Sequence, residues 1–352
     1  MRLIRTVLAA TMLSSSISLA QADVKVVASI KPIHSLVAAV MEGVGLPDLI
    51  VEGAASPHTY ALKPSQAQFL QDADLVFWTS HDLETFLEKS IEGIATKAKS
   101  VPLIESHGIT KLKFREGGDF DSHGHDDHDD DHKDDDHKDH DDHKDHDDHK
   151  DHDDHKDHDD HDKHAKDDHA GHDDHDDHEG YDPHVWLDPL NAKAIIHEIE
   201  EMLSEADPNN AAAYKSNADK LMVKLDNLVV EIDAELQPVK ERGFVVFHDA
   251  YRYFEERFGV SAIGSITVSP EVLPGAARIK ELQEKVRDLD ATCVFSEPQF
   301  EPKLVATVTE NTNAGTGVLD PLGASIDDGP GLYFSLIRNM ARELKDCLLK
   351  TG

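Results

Sequence analysis

The 25 histidines of this 352-residue chain fall into two sets with different chemistry. Eighteen lie between His123 and His178, and from His137 to Asp160 the hexad H-K-D-H-D-D repeats four times. That places His137, His140, His143, His146, His149, His152, His155 and His158 at three-residue steps among aspartates and lysines. Neutral imidazole is a good zinc ligand, and a reference pKa near 6.5 leaves most such rings neutral at pH 7. A chain with a histidine at every third position can wrap two or three rings around one tetrahedral ion. The spacing therefore predicts loose binding of more than one zinc ion; a solvated linker with idle histidines is the plain alternative.

The other seven histidines sit in ordinary sequence. His58 lies in a small-residue loop, G-A-A-S-P-H-T-Y, between a predicted strand and a predicted helix, the place where α/β proteins bind ligands. His184 lies in D-P-H-V-W-L-D-P, a loop pinned by two prolines, and His248 ends the apolar run of residues 244–247. Asp320 ends a second apolar run in V-L-D-P-L-G. Three imidazoles and a carboxylate make an ordinary zinc shell. Taken singly, each of these histidines reads as a hydrogen-bonded loop residue; taken together they point to a metal site. His34, His81, His107 and His197 fall on helices or in polar loops and are set aside. His197-Glu198 begins like the H-E-x-x-H protease motif, but Glu201 stands where the second ligand belongs. No G-x-S-x-G elbow, P-loop or G-x-G-x-x-G is present, so nothing supports serine catalysis or nucleotide binding.

The elements that must position these residues alternate as strands and helices. Strands are predicted at 24–29, 48–51 and 74–79, with helices from Pro32 through Met41, at 62–70 and at 83–94. A helix at 189–203 follows the histidine-rich tract. Next comes the longest periodic segment, in which Tyr214, Ala218, Leu221, Leu225, Leu228, Ile232 and Leu236 form one apolar stripe. A second set follows: strands at 244–247, 292–295 and 317–319, and helices at 251–258, 276–289 and up to Leu349. This is an α/β chain of βα lobes with parallel sheets, and the long helix, about 40 Å at 1.5 Å per residue, spans both lobes.

Charge and composition set the boundaries. The net charge is −36, but residues 119–179 hold 30 acidic residues against 7 lysines and so carry −23 of it. Nucleic acid is an implausible partner for such a chain. The tract has almost no apolar residues, cannot offset the entropy of ordering, and is expected to be disordered without metal. Residues 1–22, with Arg2 and Arg5, an apolar run and the ending A-Q-A, read as a signal peptide cut before Asp23. No later run is long enough to span a bilayer, so the mature chain is expected to be soluble. Cys293 and Cys347 enter an oxidising compartment and read as one disulfide, with two free thiols as the alternative. The expected division is a signal peptide at 1–22, an N-terminal lobe at 23–205 containing the insertion 119–180, a linking helix at 206–240 and a C-terminal lobe at 241–352.

Seven segments together carry a family resemblance: S-I-K-P-I-H-S-L, P-H-T-Y-A-L-K-P-S, the acidic histidine-rich insertion, D-P-H-V-W-L-D-P, F-H-D-A-Y-R-Y-F, F-S-E-P-Q-F and L-D-P-L-G. The chain resembles the solute-binding proteins of metal-importing ABC transporters, within them the zinc-uptake branch, over nearly its whole mature length. The resemblance implies two α/β lobes joined by one long rigid helix, with the metal buried in the cleft between them. It also implies His58, His184 and His248 as zinc ligands, since the manganese branch has a carboxylate where His248 stands. Some zinc members have Glu before the first ligand histidine; Pro57 stands here, which favours Asp320 over water as the fourth ligand. The pairing of Cys293 with Cys347 also matches members of the zinc branch.

The function so implied is capture of periplasmic Zn2+ by a monomer and its delivery to an inner-membrane permease with a cytoplasmic ATPase, without catalysis. The tract would serve as an auxiliary low-affinity zinc collector or sensor. A zinc-dependent hydrolase and a periplasmic metal buffer stand as alternatives.

Overall fold

The computed structural model describes residues 24–115, 120, 180–267, 270, 274–288, 293–300 and 302–350. The expected signal peptide and all eighteen tract histidines, including the eight of the hexads, lie outside the described residues.

Among the described residues the strands form two parallel four-stranded sheets. The first contains β1 (Val26–Ile30), β2 (Asp48–Val51), β3 (Leu75–Trp78) and β4 (Lys99–Pro102), in the order β2-β1-β3-β4. Its helices are α1 (Lys31–Val40), α2 (Pro64–Asp72) and α3 (Thr85–Ile94), and α4 (Pro189–Ala206) follows the tract. The second sheet repeats the order as β6-β5-β7-β8, from β5 (Phe244–His248), β6 (Ala262–Thr267), β7 (Cys293–Ser296) and β8 (Gly315–Val318). Its helices are α6 (Arg252–Phe258), α7 (Ala276–Asp288), α8 (Lys303–Thr309) and α9 (Leu332–Lys350). Between the sets runs α5 (Ala211–Leu236), a helix of 26 residues. Its buried residues are the seven of the stripe read from the sequence, Tyr214 through Leu236.

Helix α1 is buried at all ten positions because it packs against β1, α4, α5 and α9. Helix α5 in turn contacts α1, α4, α6 and α9. One contiguous apolar core therefore runs from β1 and β3 through these helices to Phe244, Val246 and Phe295 beneath the second sheet. A smaller cluster around Val245, Phe247, Leu282 and Val294 covers that sheet's other face. Cys293 and Cys347 are joined by a disulfide that ties α9 to the start of β7. Among the described residues no helix is long and apolar enough to cross a membrane.

Candidate metal centre

Three segments far apart in sequence bring imidazoles to one point. His58 sits in a 3-10 turn, Pro57–Thr59, that follows β2. Pro57 fixes φ where a helical turn starts and has no N–H to leave unpaired. The loop is tied back to β2 by the Tyr60 hydroxyl, which donates to the Ile50 carbonyl at 3.2 Å. His184 precedes a fully buried 3-10 turn, Val185–Leu187, after which Asp188 caps α4 by accepting from the Leu190 N–H at 2.8 Å. His248 is the last residue of β5, at the carboxyl end of a parallel strand.

Two of the rings are held in the same way. Asp182 Oδ1 accepts both the backbone N–H of His184, at 3.0 Å, and its ring Nδ1, at 2.8 Å. Glu297, just beyond β7, places Oε1 at 3.3 Å from the His248 backbone N and at 2.8 Å from its Nδ1. A carboxylate at Nδ1 fixes the tautomer, orients the ring and leaves Nε2 as the metal-facing nitrogen. Nε2 of His248 is buried with no hydrogen-bond partner.

The three ring centroids lie 5.3–5.6 Å apart, and one ligating nitrogen from each ring falls within 4.8 Å of the others. Zn–N bonds of 2.0 to 2.1 Å in a tetrahedron put such nitrogens ~3.3 Å apart, so closing on an ion moves each inward by less than ~1 Å. The cavity they line measures about 10 Å³, with Ser56, Trp186, Phe300 and Leu322 among its walls. That is roughly one water-sized sphere. The space between the rings suits an ion.

Electrostatics keep two of the three rings, His58 and His184, neutral as metal binding requires. Burial, helped by the neighbouring His184 and His248, lowers the pKa of His58 to about 2. Burial, with His248 nearby, holds His184 well below 6.5. For His248 burial also works downward, but the Glu297 carboxylate outweighs it and the net shift is upward. Asp182 is pushed up to about 7 by burial, against the opposing pull of the His184 backbone N–H and of Arg115.

Of the four residues singled out in the sequence, the structure gathers His58, His184 and His248; Asp320 is not in the group. The Asp320 carboxylate instead caps its own turn, accepting from the N–H groups of Leu322 at 3.1 Å, Gly323 at 2.9 Å and Ala324 at 2.6 Å, and from the Gln299 amide at 3.2 Å. Among the histidines set aside, His34 is buried and bonds the Pro47 carbonyl at 3.1 Å, and His81 pairs with Glu88 at 2.7 Å. His107 and His197 are exposed. Asp182 and Glu297 are functional carboxylates that sequence reasoning passed over. Both stood inside quoted motifs, D-P-H and S-E-P-Q, and an acidic residue two positions before a candidate ligand was the available signal for Asp182.

Comparison with known proteins identifies the family. The family model for the periplasmic zinc-uptake complex component A matches residues 26–347. The high-affinity zinc uptake system protein ZnuA of Brucella suis biovar 1 (strain 1330) is 56% identical over 325 residues, 92% of each chain. That of Haemophilus influenzae is 40% identical over 329 residues, 94% of each chain. Among solved structures, a crystal structure of ZnuA matches with a TM-score of 0.67 at 22% identity, covering 92% of this chain and 99% of that one. A Mn-bound periplasmic metal-binding protein from Candidatus Liberibacter asiaticus matches with a TM-score of 0.65 at 21% identity, covering 92% and 99%. At such identities the likeness to the solved structures is one of fold.

Proposed function

The chain belongs to the periplasmic zinc-uptake complex component A family and is a zinc-binding component of an ABC-type importer, and from that premise we propose that His58, His184 and His248 are the ligands that carry the cargo. The observation that supports this most is the convergence of three imidazoles within 4.8 Å, two of them held at Nδ1 by a buried carboxylate. Neutral nitrogen donors with Nε2 turned inward suit Zn2+. A water molecule takes the fourth tetrahedral position, because both Asp320 oxygens are engaged by backbone N–H groups.

The rest of the reading draws its support from the family and from the sequence. The chain is exported by cleavage of residues 1–22, works in the periplasm as a monomer, and passes zinc to an inner-membrane permease served by a cytoplasmic ATPase. It is a carrier and catalyses nothing. The lobes are those of residues 23–205 and 241–352, with 206–240 as the linking helix. The tract of residues 119–180 collects zinc at lower affinity through His137, His140, His143, His146, His149, His152, His155 and His158.

Zinc titration of three chains tests the assignment. Wild type should show one tight equivalent followed by weaker ones. A chain lacking residues 119–180 should keep the tight equivalent and lose the weak ones. His184→Ala should keep the weak ones and lose the tight one. Loss of the tight equivalent with the tract would reject the assignment.

A further inference from the structure

Beside the metal centre lies a group of charged side chains that zinc ligation itself does not require. Arg115 is only 17% exposed. Its Nη2 meets Glu255 Oε2 at 2.9 Å, and its Nη1 meets Asp249 Oδ1 at 3.2 Å, a contact without hydrogen-bond alignment. Glu255 lies on α6, and Asp249 directly follows the ligand His248.

The four residues 112–115 that end in Arg115 run from the first lobe onto the second. At their near end Asn191 of α4 holds Thr110, accepting from its N–H at 2.8 Å and donating to its carbonyl at 3.1 Å. The segment then lies along α6. The Tyr253 hydroxyl accepts from the Leu112 N–H at 3.0 Å and donates to the Asp182 carbonyl at 2.8 Å. The Arg252 guanidinium donates to the Lys113 carbonyl. Asp182 donates its N–H to the Leu112 carbonyl at 2.8 Å, and Lys113 and Tyr181 form an antiparallel bridge. Residues 112–115 thus fix the backbone of Asp182, whose side chain grips His184, and through Arg115 they also hold the residue beside His248.

We propose that residues 112–115 are a strap that positions the zinc ligands across the two lobes, with Arg115 as its principal positioning residue. The proposal rests on the reading that His58, His184 and His248 hold the zinc. Removing the guanidinium leaves Asp249 and Glu255 buried with less opposing charge, and their relaxation slackens the turn after β5 that carries His248. Arg252, 24% exposed, is the other cation nearby, but it is tied to Lys113 and Glu256 and does not replace Arg115. Lysine would keep the charge without the two-pronged reach of a guanidinium.

The test is a chelator jump on the full-length chain loaded with one equivalent of zinc, in parallel with the visible spectrum of the same protein loaded with one equivalent of Co2+. Arg115→Met should release zinc from the tight site about tenfold faster, in line with losses seen when outer contacts of a metal site are removed. The cobalt spectrum should change in the same variant, because the ring orientations do. Arg115→Lys should fall between the two. Arg338→Met, which breaks the exposed pair with Glu231 at 2.7 Å, should lower the unfolding midpoint without touching release or spectrum. A lowered midpoint in Arg115→Met with wild-type release and spectrum overturns the proposal. Should that variant fail to fold, Tyr253→Phe, which removes the hydroxyl shared by Leu112 and Asp182, must speed release severalfold; unchanged release there overturns it equally. Absence of a slow phase in wild type rejects the ligand assignment instead, and that failure is read without any variant.

Discussion

Replacing Glu297 with Gln should weaken zinc binding at neutral pH, and the deficit should shrink on acidification. Glu297 Oε1 lies 2.8 Å from His248 Nδ1 and orients the ring; loss of such an outer contact costs about 10- to 100-fold in metal affinity. The same carboxylate is also what lifts the His248 pKa above 6.5 against burial. A ligand that must shed a proton weakens apparent affinity by the factor 1 + 10^(pKa − pH). For a ring held above 6.5, going from pH 7.5 to 5.5 therefore costs at least about tenfold, or ~1.4 kcal/mol. His58, at about 2, and His184, well below 6.5, add nothing over that range. Without Glu297 burial outweighs the remaining pull of Asp249 and Asp182 on His248, its pKa drops, and the proton competes less. The variant's deficit at pH 5.5 should thus be about tenfold smaller than at pH 7.5. Chelator-competition titration of the tight equivalent at the two pH values measures this. A deficit that stays constant or widens would refute the claim that Glu297 governs the His248 proton.

Two further outcomes follow from the same coordinates. Replacing both Cys293 and Cys347 with Ala opens a loop spanning 54 residues, for which the chain-entropy relation gives a loss of about 4 kcal/mol; urea unfolding should show it, with one tight zinc equivalent retained in folded protein. Asp320→Asn keeps the Oδ1 acceptor for the Leu322 and Gly323 N–H groups and gives up the one for Ala324, so zinc affinity should change by less than about threefold, whereas loss of a direct ligand would cost far more; competition titration separates the two.

The fold was legible wherever an element pays for its own periodicity in buried surface. Helix α5 declared itself by seven apolar residues at steps of three and four, and those seven are the ones it buries. Three elements were missed. In β4 the residues Lys-Ser-Val-Pro bury only Val101 fully, so an edge strand left no apolar run to read. In β6, also at an edge, Gly264 and Ser265 interrupt the pattern. In α8 the β-branched Val305, Thr307, Val308 and Thr309 read as strand, yet packing against α7 and β7 makes them a helix. The three clustered histidines were legible because each stands at a strand end or in a proline-bound loop. Asp320 shares that context, and only the count of N–H groups around its carboxylate separates a turn cap from a ligand. Glu297 could not be paired with His248 from sequence, because 49 residues separate them and only the adjacency of β5 and β7 brings them together.

Capture and release make opposite demands on such a site, and the packing decides which parts can yield. The two sheets share one apolar core, and Trp186, Tyr251 and Tyr333 sit at its middle with 0–1% exposure. Baring one such ring costs ~4 to 6 kcal/mol at 25 cal/mol per Å² of its 150–250 Å², and parting the lobes would bare several. Wholesale opening is therefore the expensive route. The three rings are held unequally. His184 and His248 are buried and gripped at both backbone and ring by a carboxylate. His58 is the least buried of the three, on a loop whose residues 52–54 are exposed and turn through Gly53 at φ +65°. Of the three rings, His58 is therefore the one whose displacement would disturb the least buried surface.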